Sequence, residues 1–214
     1  MHMGPHITHA FADILVLTPV RAEHELLVAQ PESRIWVEGT STIKSFKCSV
    51  TDFALSISGD AGAVPSVLDG KKAVRTVELT LPSAKIDCGN GTLNDHMRKA
   101  LKVEEAPTIQ FKLSGYDVAK ATTGVEGVVR GSLSLGGVEH PVDVTAVATD
   151  AGSGAMRVAG SYELAISAFD LKRPSPDVRS HQGRRQCAGE VRPPSQEMIV
   201  AQIAYSLSLP GPRP

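Results

Sequence analysis

Apolar residues recur at every second position through most of the chain from Arg34 onward. This period of two is typical of half-buried strands, because successive side chains of a strand point to opposite faces of the sheet. Residues 77–81, with the sequence VELTL, show the pattern clearly. Runs of the same kind begin at Ile35, Phe53, Val77, Ile109, Val125, Val142, Val158 and Ile199. The pattern therefore predicts about eight strands.

One segment departs from this period and has the spacing of a helix. Leu93, Met97, Ala100 and Leu101 fall on a single helical stripe, and Thr92 with Asp95 resembles a capping box. Between two of the predicted strands, Gly136-Gly137 indicates a tight turn. The sequence thus predicts an all-β, antiparallel sandwich or barrel with one short inserted helix. A barrel of about eight strands has an interior that side chains fill or that holds one small ligand, and the apolar rows here favour an apolar ligand.

Composition excludes several other classes of protein. The chain has 214 residues, 22 Lys and Arg against 23 Asp and Glu, and a formal net charge of -1, so no global basic field attracts nucleic acid. Aromatic residues make up only 4%, too few for a base-stacking platform. The sequence contains no run of about 18 apolar residues of the kind that spans a membrane.

The first 32 residues differ from the rest of the chain. Their first basic residue is Arg21, whereas a secretory signal begins with a positive region. We therefore expect residues 1–32 to be an extension or a degenerate signal outside the fold, the domain to cover 33–209, and 210–214 to form a tail.

No catalytic or metal-binding constellation is evident. The nucleophile-elbow, Walker, dinucleotide-binding and HExxH motifs are absent from the sequence, which favours a protein that is not an enzyme. Cys48, Cys88 and Cys187 fit no metal-ligand spacing, so we predict neither a metal nor a cofactor. Cys48 and Cys88, each near the edge of a predicted strand, can pair in an oxidising compartment; the alternative is that all three are buried or free thiols.

Four segments, in this order along the chain, resemble the YceI-like family. They are residues 33–41 (SRIWVEGTS), 94–101 (NDHMRKAL), 106–111 (APTIQF) and 131–142 (GSLSLGGVEHPV). The resemblance implies an extended, lipocalin-like antiparallel β-barrel that binds a polyisoprenoid or another long amphipathic lipid. It further implies a periplasmic or secreted location, with the cytoplasm as the alternative because the N-terminus does not look like an export signal. Residues 171–194 depart from the family as a basic loop.

The resemblance directs attention to the large side chains of the predicted strands and helix. The expected ligand-binding residues are Trp36, Phe53, His96, Met97, Phe111, Tyr162 and Phe169. In the basic loop, Arg184 and Arg185 are candidates for a phosphate head group, since guanidinium groups suit phosphate. The expected partner is a polyisoprenoid or an isoprenoid quinone, and a homodimer is compatible with the sequence. Two other functions stay open: an interaction protein with a solid barrel core, and a small enzyme using Asp95 and His96.

Overall fold

A computed structural model describes residues 24–40, 45–50, 52–171 and 199–208. Within these ranges there are ten strands: β1 (His24–Ala29), β2 (Arg34–Thr40), β3 (Ser45–Val50), β4 (Ala54–Asp60), β5 (Val74–Pro82), β6 (Thr108–Ala121), β7 (Gly124–Leu135), β8 (Val138–Gly152), β9 (Ala155–Leu164) and β10 (Ile199–Ser208). The same ranges contain two α-helices, α1 (Ala63–Leu68) and α2 (Gly91–Ala100), and short 3₁₀ turns at Ser83–Lys85 and Ile166–Phe169.

Eight of the described strands form a closed antiparallel ring in the order β1, β4, β5, β6, β7, β8, β9, β10. The ring closes where Val28 and Ala29 of β1 pair with Ser208 and Leu207 of β10. The β2–β3 hairpin joins the sheet on the same side of β10 as β1, with β2 paired to 200–204. β1 and β2 therefore act as two parts of one interrupted strand. This confirms the predicted antiparallel barrel with α2 as its inserted helix.

The fold begins earlier in the chain than the expected boundary at residue 33. β1 lies within the stretch 1–32, yet it pairs with β4, and Leu27 is only 3% exposed. The apolar Leu26 and Val28 of β1 are exposed, whereas the acidic Glu25 lies on the same face of the strand as the buried Leu27. Because the inner row of β1 includes a carboxylate, the segment lacks the alternation of apolar and polar residues that predicts a strand. The boundary predicted at residue 33 is therefore wrong.

Two local predictions have different outcomes. Gly136-Gly137 does form the two-residue turn between β7 and β8, and both residues have positive φ angles, 59° and 83°, as a type I′ turn requires. The cap of α2 differs from the expectation. Asn90, not Thr92, is the N-cap, and its Oδ1 accepts a hydrogen bond from the Leu93 N–H at 3.0 Å. Asp95 instead forms an ion pair with Arg98 at 2.9 Å.

Helix α1 is held to β1 by Glu25. The Glu25 carboxylate accepts hydrogen bonds from the backbone N–H groups of Gly62 at 3.1 Å and Ala63 at 2.8 Å. These are among the N–H groups that a short helix leaves without an intrahelical partner. Beyond them, Val64 and Val67 are buried against the barrel interior. The inward carboxylate of β1 thus has a structural role: it attaches a helical plug to one end of the barrel.

Replacing Glu25 with alanine should lower the free energy of unfolding by about 1 kcal/mol, as expected when a helix cap is lost. Urea denaturation measures this change. Glu126→Ala removes an exposed carboxylate from β7 and serves as the matched control, with an expected change below about 0.5 kcal/mol. Equal stability of the two variants would show that the Glu25 bonds do not hold α1.

Candidate functional site

The interior of the barrel contains a cavity of about 260 Å³. Its walls are formed by rows of apolar side chains that alternate with polar ones along the strands. The rows include Val77, Leu79 and Leu81 of β5, Ile109, Phe111 and Leu113 of β6, and Val142, Val144 and Ala146 of β8. The space is slightly smaller than the roughly 300–1,000 Å³ of common small-molecule pockets, which favours a slender ligand.

Many of the side chains that face this cavity are not fully packed. Phe53, Phe111, Leu133 and Val144 line it and remain partly exposed, whereas a closed core would bury them. Protein interiors are otherwise packed as densely as organic crystals. The middle of the barrel is therefore apolar surface without a protein partner.

Two clusters of buried side chains lie toward the two ends of the cavity. One includes Ile57 and Val125 and is covered by α1, whose Val67 reaches the cavity. The other includes Leu135 and is covered by α2, whose Met97 lines the cavity. The ten residue steps from Val125 to Leu135, at about 3.4 Å each on a strand tilted by roughly 40°, give the cavity a length near 25 Å. A cavity of about 260 Å³ that extends over this length is a narrow tunnel.

Polar groups are scarce along the described wall of the tunnel. The polar side-chain atoms there are two tyrosine hydroxyls, those of Tyr116 and Tyr162, and no charged side chain belongs to this part of the wall. The Tyr116 hydroxyl accepts a hydrogen bond from the Val74 N–H at 2.8 Å. Burial, and after it the negative charge of Asp143, raise the pKa of Tyr162 above its ordinary value.

Four of the residues expected to bind the ligand lie together in the cavity wall: Phe53, Met97, Phe111 and Tyr162. Phe53 precedes β4, Met97 lies on α2, Phe111 on β6 and Tyr162 on β9, so the fold brings them together from across the chain. Arg184 and Arg185, the expected head-group residues, lie outside the described residues.

Trp36, His96 and Phe169 do not belong to the cavity wall, in contrast to the expectation. Trp36 alternates with the lining residues on either side of it, so its ring lies on the other face of β2, with Lys47 Nζ 4.8 Å from the ring centre. His96 precedes the lining residue Met97 and lies on a different face of α2. Phe169 is fully buried in the cluster under α2, and its ring centre lies 5.7 Å from that of His140.

Tyr116 is a lining residue that the alternation misses. β6 pairs with β7 in a register that shifts between Leu113 and Gly115. Such a bulge inserts one residue and reverses which positions face inward. Leu113 and Tyr116 therefore both face the cavity although three positions separate them. Gly115 is the one sequence signal that marks the irregularity, since glycine within a strand often indicates a bulge.

A disulfide bond joins Cys48 of β3 to Cys88, which lies just before α2. Next to it, Ser49 and Asp87 exchange backbone hydrogen bonds of 2.7 and 2.9 Å. The Asn94 side chain on α2 accepts a bond from the Cys88 N–H at 2.7 Å and donates one to Asp87 at 2.9 Å. Of the two possibilities left open for these thiols, the structure shows the pair. The disulfide and its neighbours fix the start of α2 over one end of the tunnel.

Other kinds of site are not found in the part of the chain that the structure describes. No three His, Cys, Asp or Glu side chains there are close enough to share a metal ion. None of the helices in those residues has the length and apolar character needed to cross a membrane.

Comparisons with known proteins agree with this geometry. The model of the YceI-like domain matches residues 28–184. No curated protein matches the chain. BcnA of Burkholderia cenocepacia has a similar crystal structure, with 17% identity, a TM-score of 0.59, and coverage of 82% of this chain and 96% of BcnA.

Two further solved structures are similar. A polyisoprenoid binding domain from Saccharophagus degradans, implicated in plant cell wall breakdown, has 12% identity, a TM-score of 0.56, and coverage of 89% of this chain and 100% of that domain. A mutant YceI protein of Campylobacter jejuni with a monobromobimane guest has 13% identity, a TM-score of 0.55, and coverage of 96% and 100%. At these identities the likeness shows a shared barrel fold.

Proposed function

We propose that this chain, which belongs to the YceI-like domain family, binds a polyisoprenoid or a similarly long apolar lipid in its barrel and stores or carries it without chemical change. The observation that carries the proposal is the apolar tunnel, in which several inward-facing side chains remain partly exposed. The similarity in fold to a polyisoprenoid binding domain supports the same conclusion.

The shape and energetics of the tunnel suit a chain-like lipid. A chain that buries about 400 Å² of apolar surface gains roughly 10 kcal/mol at about 25 cal/mol per Å². Association costs about 4–15 kcal/mol, so burial along the whole tunnel is what makes binding favourable. Because about 260 Å³ is spread over a length near 25 Å, the tunnel is also too narrow for bulky, compact ligands.

The disulfide supports a location in an oxidising compartment. Disulfides persist outside the cytoplasm and are rare within it, where thiols are kept reduced. Members of this family are generally periplasmic, and we propose the periplasm for this chain as well.

The two alternative functions receive less support from the site. An interaction protein with a solid core does not need the tunnel. An enzyme based on Asp95 and His96 would need both groups at the cavity, but Asp95 is exposed and paired with Arg98, and His96 does not line the wall.

Native mass spectrometry of the purified protein, followed by analysis of its organic-solvent extract, tests the proposal. We expect a one-to-one adduct of several hundred daltons with isoprenoid fragments. After delipidation, the protein should bind the C20 alcohol geranylgeraniol with the same stoichiometry. A bare polypeptide mass together with no binding of geranylgeraniol or longer polyprenols would contradict lipid binding.

A further inference from the structure

We propose that the Tyr162 hydroxyl donates a hydrogen bond to a neutral head group of the bound lipid, and so determines which head groups the tunnel accepts. This inference rests on the proposed lipid binding and adds to it the position and chemistry of the head group. Its ligands are long-chain lipids that end in an oxygen acceptor without charge, such as an alcohol or a carbonyl.

The first argument is the state of the two tyrosine hydroxyls on the described wall. The Tyr116 hydroxyl is already engaged, since it accepts the Val74 N–H at 2.8 Å. The Tyr162 hydroxyl has no hydrogen bond to another described residue, although its side chain is half-buried in the wall. Tyr162 is not among the described residues whose polar side-chain atoms are fully buried without a partner, so an acceptor on a ligand in the cavity can reach its hydroxyl and accept a hydrogen bond from it.

The second argument is the position of Tyr162. It packs against the cluster that α2 covers, and it is two residues from the end of β9. Tyr116, in contrast, is bonded to Val74, which packs against the cluster at the α1 end. The Tyr162 hydroxyl therefore lies toward the α2 end of the tunnel, and the hydrocarbon tail of the bound lipid extends toward α1.

The third argument is charge. No cationic side chain lies on the described tunnel wall, so a phosphate drawn inside would be a buried charge without a partner. Burial, and after it the negative charge of Asp143, an exposed residue of β8, raise the pKa of Tyr162, which favours the neutral hydroxyl that can donate a hydrogen bond.

The variant Tyr162→Phe tests the inference with ligands that share one C20 tail. The probes are geranylgeraniol, the corresponding hydrocarbon without oxygen, and geranylgeranyl phosphate. The wild-type protein should prefer the alcohol over the phosphate. Tyr162→Phe should bind the alcohol about 2- to 10-fold more weakly while its affinity for the hydrocarbon stays the same, because one hydrogen bond is lost.

Ser161→Ala is the matched control. It removes a hydroxyl from the exposed face of β9, next to Tyr162 in the chain, and should leave the ratio of alcohol to hydrocarbon affinity unchanged. An unchanged ratio in Tyr162→Phe, with both probes bound by the wild type, would overturn this inference and leave lipid binding intact. So would tighter wild-type binding of the phosphate, which would instead favour a head group at Arg184 and Arg185. If the wild-type protein binds none of the three probes, the proposed function fails as well.

Discussion

The Ala146→Phe variant should bind geranylgeraniol at least about 50-fold more weakly than the wild-type protein. Ala146 lies on the wall of the tunnel, between the lining residues Val144 and Ala148 of β8. A phenyl ring at this position projects into a narrow space and divides it. Each 100 Å² of ligand surface that can no longer be buried costs about 2.5 kcal/mol, which corresponds to nearly two orders of magnitude in Kd.

Thr145→Phe provides the control for this change. Thr145 is the next residue of the same strand and is exposed on the outer face, so the added ring lies outside the barrel. Fluorescence competition should give wild-type affinity for Thr145→Phe, and circular dichroism should show that both variants are folded. Wild-type affinity in a folded Ala146→Phe protein would mean that the lipid does not bind in the tunnel.

Replacing both Cys48 and Cys88 with alanine should lower the free energy of unfolding by about 4 kcal/mol. The disulfide joins residues 40 positions apart. Closing a loop of this length removes conformational freedom from the unfolded chain, and the chain-entropy model gives about 4 kcal/mol for it. For a protein of this size we expect a decrease in Tm of roughly 10 °C, measured by calorimetry without reductant.

Two comparisons make this result specific to the disulfide. Dithiothreitol should lower the Tm of the wild-type protein by a similar amount and leave the double alanine variant unaffected. Cys187→Ala, which removes the cysteine outside the pair, should retain the wild-type Tm. A wild-type Tm that does not respond to the reductant would show that the bond contributes little to stability.

The sequence predicts the barrel well wherever one strand face is apolar and the other polar. The alternation places Ile109, Phe111 and Leu113 in one row, and this row faces the tunnel. Helix α2 is recognisable because Met97 and Leu101 share a stripe, and both are buried. Alternation separates the two faces of a strand but does not identify the inner one, so the sequence alone does not show that Trp36 lies on the outer face of β2.

The remaining features depend on contacts between distant parts of the chain. Glu25 occupies an inner position in β1 because it caps a helix 37 residues later, a relation that no local pattern shows. Tyr116 faces inward because of the bulge that precedes it. The Tyr162 hydroxyl has no hydrogen bond to another described residue because the other described side chains of the tunnel wall are mostly apolar, a feature that only the assembled wall reveals.

The ring of strands is not equally strong around its circumference. Among the described residues, β6 and β7 pair along most of their length, whereas β1 and β10 meet at Val28↔Ser208 and Ala29↔Leu207. Local opening follows the part of a structure with the fewest backbone bonds to break. Thermal fluctuations will therefore separate β1 from β10 at a lower free-energy cost than they separate β6 from β7.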